Sequence, residues 1–168
     1  MLIIIDLMKL KINSINNLGD DYAFVSWEES YATHILLIDN QHMELVRLTN
    51  ELFSACRNGC DIAGSVFKET VKNLVDYVHL HFSTEQELLQ KIQYPDYKNH
   101  KKQHDMLIKD ILEAVKSFNE GKKLVPNQFV RTLKEWVFGH IAVYDKSYAL
   151  YVSDQKRKGL LTDAQLEG

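Results

Sequence analysis

From about residue 39 onward, large apolar side chains recur every three or four positions in four separate runs, the spacing of helices with one buried face. The first run covers about 39–57. His42, Leu45, Thr49, Leu52 and Cys56 share one stripe, and Asp39 stands where it could cap the helix start. The second covers about 64–92, with Phe67, Val71, Leu74, Val78, His81, Glu85 and Leu88 in an alternation of four and three. Gly59 and Gly64 bracket the turn between these two runs. Gln93-Tyr94-Pro95-Asp96 ends the second run, because a proline cannot continue a helix. The third, about 96–118, repeats the pattern with Tyr97, His100, His104, Leu107, Ile111, Val115 and Phe118. A polar loop holding Gly121 and Pro126 follows, and the fourth run, about 127–152, carries Phe129, Leu133, Trp136, His140 and Tyr144. Together the runs predict an all-α chain folded as an up-down-up-down antiparallel four-helix bundle. The expected division is an N-terminal arm at 1–26, the bundle at 27–152, and a polar C-terminal tail at 153–168 that reads as a surface segment or a short terminal helix.

Ionisable residues stand on the apolar stripes. His81, Glu85, His100, His104 and His140 are in register with leucines, valines and aromatics, so they point into the core. His81 and Glu85 are four apart, as are His100 and His104, and each pair converges on one point. Asp145 lies five residues after His140, about 140° further round an ideal helix, and is expected to reach the same place from the flank. Buried ionisable groups are costly unless paired, hydrogen-bonded or metal-bound, and the same stripes carry no Lys or Arg to pair with them. The depths agree as well. His42 and His81 lie at nearly equal distances from the first turn, and His104 and His140 at nearly equal distances from the third loop, so antiparallel packing brings all of them to one level. Imidazole with carboxylate suits a first-row metal such as iron, manganese or zinc. Seven candidates (His42, His81, Glu85, His100, His104, His140 and Asp145) are too many for one ion and suit two.

Composition adds limits. A chain of 168 residues, 45% of them hydrophobic, is long enough for one domain with a substantial core. A net charge of −3 without a basic, aromatic-interleaved stripe argues against nucleic acid as a partner. The apolar opening, Met1 to Met8, is broken by Asp6, lacks a basic leader and is too short to span a bilayer. Translation could start at Met1 or at Met8. Cys56 and Cys60 make no disulfide framework, and the expected location is cytoplasmic. No pattern specifies an oligomeric state.

The residues quoted above, together with Trp27 and Tyr31 in the arm, Ile38-Asp39-Asn40-Gln41-His42, His81-Phe82-Ser83-Thr84-Glu85, Tyr94-Pro95, Trp136 ahead of His140-Ile141, and Tyr148, resemble the hemerythrin family over about residues 24–152. The resemblance implies a non-haem di-iron centre with a bridging oxo or hydroxo group. His100, His104 and His140 would hold one iron and His42 and His81 the other, with Glu85 and Asp145 bridging. It further implies that one open position, on the iron with two histidines, takes up O₂ reversibly as hydroperoxide, for carriage, storage or delivery rather than catalysis. Phe82, Trp136 and Ile141 are then candidates to line the oxygen pocket beside their core role. Gln86 stands where relatives often carry a second acid, His34 stands where they usually have glycine, and the arm before Trp27 is longer than is typical.

Plainer readings stand beside these. Taken singly, each four-spaced pair would be an ordinary helix-surface pair; only the ordered set on apolar stripes argues for metal. His79 and His34 fall outside the pattern: His79 reads as a surface or capping histidine, and His34 as a solvated arm residue or one near the pocket mouth. Cys56 and Cys60 read as bystanders, and Lys101-Lys102 and Lys156-Arg157-Lys158 as surface. Two other functions use the same centre: an O₂, redox or iron sensor acting through a partner, and a di-iron enzyme handling peroxide or nitric oxide. The chain has no Glu-x-x-His of the ferritin-like oxidases and no His-Glu-x-x-His of zinc hydrolases.

Overall fold

A computed structural model describes residues 23–57, 65–120 and 126–166, with the side chains at 65–67, 117–119 and 126–127 left out. Met1, Met8, Gly59, Cys60, Gly64, Gly121 and the side chains of Phe67 and Phe118 therefore lie outside the described residues. A 3₁₀ turn, Glu29–Tyr31, is followed by α1 (Leu36–Arg57), α2 (Ser65–Lys91), α3 (Tyr97–Asn119) and α4 (Pro126–His140). A π-helical turn, Ile141–Asp145, joins α4 to α5 (Lys146–Arg157), and a last short helix, α6, spans Asp163–Leu166. There is no strand among the described residues. The chain is an all-α four-helix bundle, in which α1 packs on α2 and α4, α2 on α3, and α3 on α4.

Local chemistry accounts for the helix ends. α1 begins three residues before Asp39, so Asp39 is not its cap. Its carboxylate instead accepts hydrogen bonds from Thr33 N (2.7 Å), Thr33 Oγ1 (2.8 Å) and His34 N (2.9 Å), folding the arm back onto the first turn. His34 is exposed and holds φ 60°, the left-handed region that favours glycine. That backbone need explains a position where a small residue would be at ease. α2 stops with Gln93 at φ 53°, where Tyr94 N donates to Leu89 O (2.9 Å) in a Schellman-type closure, and Pro95 follows. Gly159, at φ 71°, closes α5 in the same way, with Leu160 N donating to Gln155 O (2.9 Å).

The fourth run differs most from its sequence-based reading. It is not one α-helix ending near 152: a π turn interrupts it, and helix continues to Arg157. α6 then returns Leu166 to the core, where it is buried with Ile35, Ile38, Leu88, Leu89, Ile92, Tyr148 and Val152. A second, larger cluster contains Leu45, Leu48, Leu52, Val71, Leu74, Val78, Phe82, Leu107, Ile111, Val130, Leu133, Val137 and Ile141. Along the chain His42 stands between Ile38 and Leu45, Glu85 between Phe82 and Leu88, and Asp145 between Ile141 and Tyr148, while His81 and His140 directly precede Phe82 and Ile141 of the larger cluster; with His100 and His104, ahead of Leu107, they form a buried polar layer where the two clusters meet.

The arm straps the gap between α1 and α4. Val25 N donates to Asn50 Oδ1 (3.0 Å) and Asn50 Nδ2 returns a bond to Val25 O (2.8 Å). Lys134 sits over the Phe24 ring, 4.7 Å from its centroid, and Lys146 Nζ donates to Ala32 O (2.7 Å). These ties hold Trp27 against His42 and Tyr31 against Phe138.

Candidate metal centre

Each helix contributes to the layer as its stripe requires. His42 comes from α1, His81 and Glu85 from α2, His100 and His104 from α3, His140 from the end of α4, and Asp145 from the end of the π turn. All seven are buried. The π turn decides the place of Asp145. On an ideal α-helix it would point about 140° away from His140, whereas the wider i→i+5 turn brings it back to the same face. Its Oδ1 lies 3.0 Å from His140 Nε2, and its Oδ2 lies 3.2 Å from His42 Nε2. The approach is along the helix face, not from the flank.

The donor atoms crowd toward common points. Nε2 of His104 is 3.1 Å from Nε2 of His100 and 3.0 Å from that of His140, and the remaining pair is 3.4 Å apart. Glu85 Oε2 joins them, 3.1 Å from His100 Nε2 and 3.0 Å from His104 Nε2. A neutral imidazole has one N–H, so three Nε2 atoms facing one another cannot all be hydrogen-bonded. Metal–nitrogen bonds of ~2.1 Å put adjacent corners of a coordination octahedron about 3.0 Å apart, which is the spacing seen. The orphaned groups agree: Glu85 Oε1, His42 Nε2 and both Asp145 oxygens are buried with no aligned hydrogen bond, although His140 and His42 stand close to Asp145. These atoms aim at a third body. Two sets able to hold a cation result, Glu85 with His100, His104 and His140, and Glu85 with His42 and His81.

Electrostatics favour ionised carboxylates. Burial pushes Glu85 upward, but hydrogen bonds from His100 and His104 outweigh it and hold the carboxyl well below its usual range. Burial and the Glu85 charge push Asp145 upward, and His140 and His42 reverse that, so it too lies below its usual range. Burial pushes His81 down to about 3, leaving its ring neutral. His104 is also lowered, by burial first. His42 and His100 go the other way. Burial lowers each, yet Asp145 at His42 and Glu85 at His100 more than compensate and raise them.

A proton-coupled uptake follows. Below a raised pKa the ring keeps its proton, which an incoming cation must displace; above it the ring is already neutral. Titration of the folded chain with ferrous or cobaltous ion near neutral pH is expected to release protons from His42 and His100. Affinity should climb as pH rises through and above the ordinary imidazole value of about 6.5. A weakly buffered titration with an indicator dye checks this; uptake without proton release, at an affinity flat with pH, contradicts it.

Side chains outside the ligand set pack around the layer. Gln41 Oε1 accepts from His81 Nδ1 (3.1 Å), and Gln41 Nε2 donates to Thr84 Oγ1 (3.2 Å). Gln86 meets His104 Nδ1 at 3.3 Å. The hydroxyl of Tyr148 is fully buried, and burial together with the charge of Glu85 raises it well above the usual phenol range. Phe82 stacks flat on His104, ring centroids 3.6 Å apart, and Trp136 stacks on His140 at 4.9 Å. A cavity lined by Leu45, Val78, Phe82, Leu107, Trp136, Val137 and Ile141 ends on His81, His140 and Asp145. Phe82, Trp136 and Ile141 are thus joined there by four aliphatic residues that a core reading alone would not single out. Trp136 is only half-buried. His79 and His34 are exposed and stand apart from the layer.

The sequence model described as "Hemerythrin HHE cation binding domain" matches residues 33–149. The chain belongs to the hemerythrin family. A bacteriohemerythrin of Methylococcus capsulatus is 29% identical over 127 residues, covering 75% of this chain and 95% of that relative. A bacteriohemerythrin of Pseudomonas aeruginosa is 32% identical over 126 residues, 75% of this chain and 80% of its own length. The crystal structure of a wild-type hemerythrin superimposes with a TM-score of 0.70 at 29% identity, covering 76% of this chain and 96% of the other. The hemerythrin match spans all seven residues of the buried layer. Among the described residues, no helix is long and apolar enough to cross a membrane.

Proposed function

We propose that this hemerythrin-family chain holds two iron ions at the buried layer and binds O₂ there reversibly, for carriage, storage or delivery of the gas. What supports this most is the unequal division of five imidazoles about Glu85, with Asp145 between His140 and His42, beside an apolar cavity. His100, His104 and His140 would hold one iron, His42 and His81 the other. Asp145, with one oxygen toward His140 and one toward His42, is disposed to bridge them, and Glu85 belongs to both donor sets. The side with two histidines offers fewer protein donors and so is the side left open to a small ligand. Two bound ferrous ions would supply the electrons that O₂ takes up on binding and returns on release.

The chain's own residues make the exchange reversible. Phe82 and Trp136 lie flat on ligand rings, fixing their planes and shutting out water. Gln41 fixes the proton of His81 on Nδ1, which leaves Nε2 free to bind. Apart from the ligands themselves, the described lining of the cavity has no hydroxyl, amine or acid group that could hand a proton to bound oxygen. That dry wall favours a binder over an enzyme reducing peroxide or nitric oxide, which needs protons in every turnover.

The test is direct. The protein is loaded anaerobically with ferrous iron, exposed to O₂, then sparged with argon while its visible charge-transfer absorption is followed. The band should rise and fall through repeated cycles. Bleaching at first exposure without recovery would favour an enzyme or a sensor.

A further inference from the structure

We propose that Gln86 is a positioning residue of the metal centre, whose uncharged side-chain carbonyl holds His104 in its ligating form and keeps the iron bound there readily reduced. This rests on the di-iron reading above. Gln86 follows Glu85 on α2, and its amide nitrogen, Nε2, is placed 3.3 Å from His104 Nδ1. The other nitrogen of that ring, Nε2, faces Glu85, His100 and His140 within 3.0–3.1 Å. A ring giving Nε2 to a cation must carry its proton on Nδ1, so Nδ1 is a donor and needs an acceptor. The oxygen and nitrogen of a side-chain amide have the same shape, and a half-turn of the Gln86 amide presents the oxygen.

The arrangement is selective. Nδ1 of His42, His100 and His140 is buried without an aligned hydrogen bond. Among the described residues, only His81 and His104, one in each donor set, have Nδ1 met by a side chain, and both times it is a glutamine. Gln41 is itself fixed, since Thr84 Oγ1 takes its amide and in turn donates to Leu80 O (2.9 Å). An amide and a carboxylate accept the same hydrogen bond with the same reach, but they differ in charge. A carboxylate at 86 would draw the ring proton toward itself, make Nε2 a stronger donor and stabilise ferric iron. The neutral amide orients the ring without that push. A centre that must return its electrons to the metal when O₂ leaves is served by the weaker donor.

The experiment uses the full-length, iron-loaded chain with Gln86→Leu and Gln86→Glu. Chelator competition reads iron affinity, and an anaerobic redox titration reads the midpoint potential. Gln86→Leu should weaken iron binding on the order of 10–100-fold, as loss of an outer partner typically does. Gln86→Glu should keep affinity near the parent value yet move the ferric-to-ferrous ratio about tenfold toward ferric at a fixed potential, since outer partners set ligand basicity. A role in shape alone would leave the potential of Gln86→Glu where it was. That result, or parental affinity in Gln86→Leu, overturns the proposal while leaving the di-iron reading intact; a parent chain that takes up no iron overturns both.

Discussion

Glu85→Ala is expected to abolish stable iron binding. Metal analysis after ferrous loading and desalting should fall from two irons per chain toward none, an affinity loss on the order of 100-fold or more, given that even outer-shell losses cost 10–100-fold. The side chain is fully buried and belongs to both donor sets, so its removal would take a ligand from each ion and the single negative charge they would share. It also leaves His100 and His104 facing each other at 3.1 Å with no anion between them. His79→Ala is the control. His79 is on the same helix, six residues earlier and exposed, and its loss should leave two irons in place. Equal iron loss in the two variants would mean that the site lies elsewhere.

Leu74→Ala should act on stability and not on stoichiometry. Leu74 has no exposed surface and lies within the larger apolar cluster. It is seven residues before His81, the nearest layer residue on α2, about 10 Å or two helical turns away, so the metal layer should not sense the cavity left behind. Truncating a buried leucine costs ~2–5 kcal/mol, the transfer of its methyl groups plus the void. Urea denaturation of the iron-loaded proteins, compared at equal free iron because a ligand bound to the folded state adds stability by mass action, reads the difference. A loss under about 1 kcal/mol, or a folded fraction with altered iron content, would contradict this separation of core from site.

Much of this was legible in the chain itself, and for a specific reason. The helices of α1 to α3 follow strict three-four periodicity, and polar residues at stripe positions are rare enough to stand out. His81 beside Val78 and Leu88, or His104 beside Leu107, can be read without coordinates. The approach of Asp145 could not. Five-residue spacing is wrong for an α-helix, and nothing in Ile141-Ala142-Val143-Tyr144-Asp145 announces the π turn that forms there. Asp39 misled for a related reason: an aspartate near a helix start can cap it from outside or, as here, reach back from the first turn. The hydrophobic content of the last segment was also hidden. Leu161 and Leu166 sit in a mostly polar stretch with no period, and only the turn at Gly159 brings them onto the bundle. Gln41 and Gln86 escaped the stripe argument because a side chain that steadies a ligand from outside has no periodic signature.

Anomalous diffraction at the iron edge, from crystals of the iron-loaded protein, addresses the central assignment most directly. Two peaks are expected in the layer between the apolar clusters, one ~2.1 Å from Nε2 of His100, His104 and His140, the other at a similar distance from His42 and His81, with a carboxylate oxygen of Glu85 and of Asp145 reaching each. A single peak, none, or imidazoles swung away from the layer would contradict it.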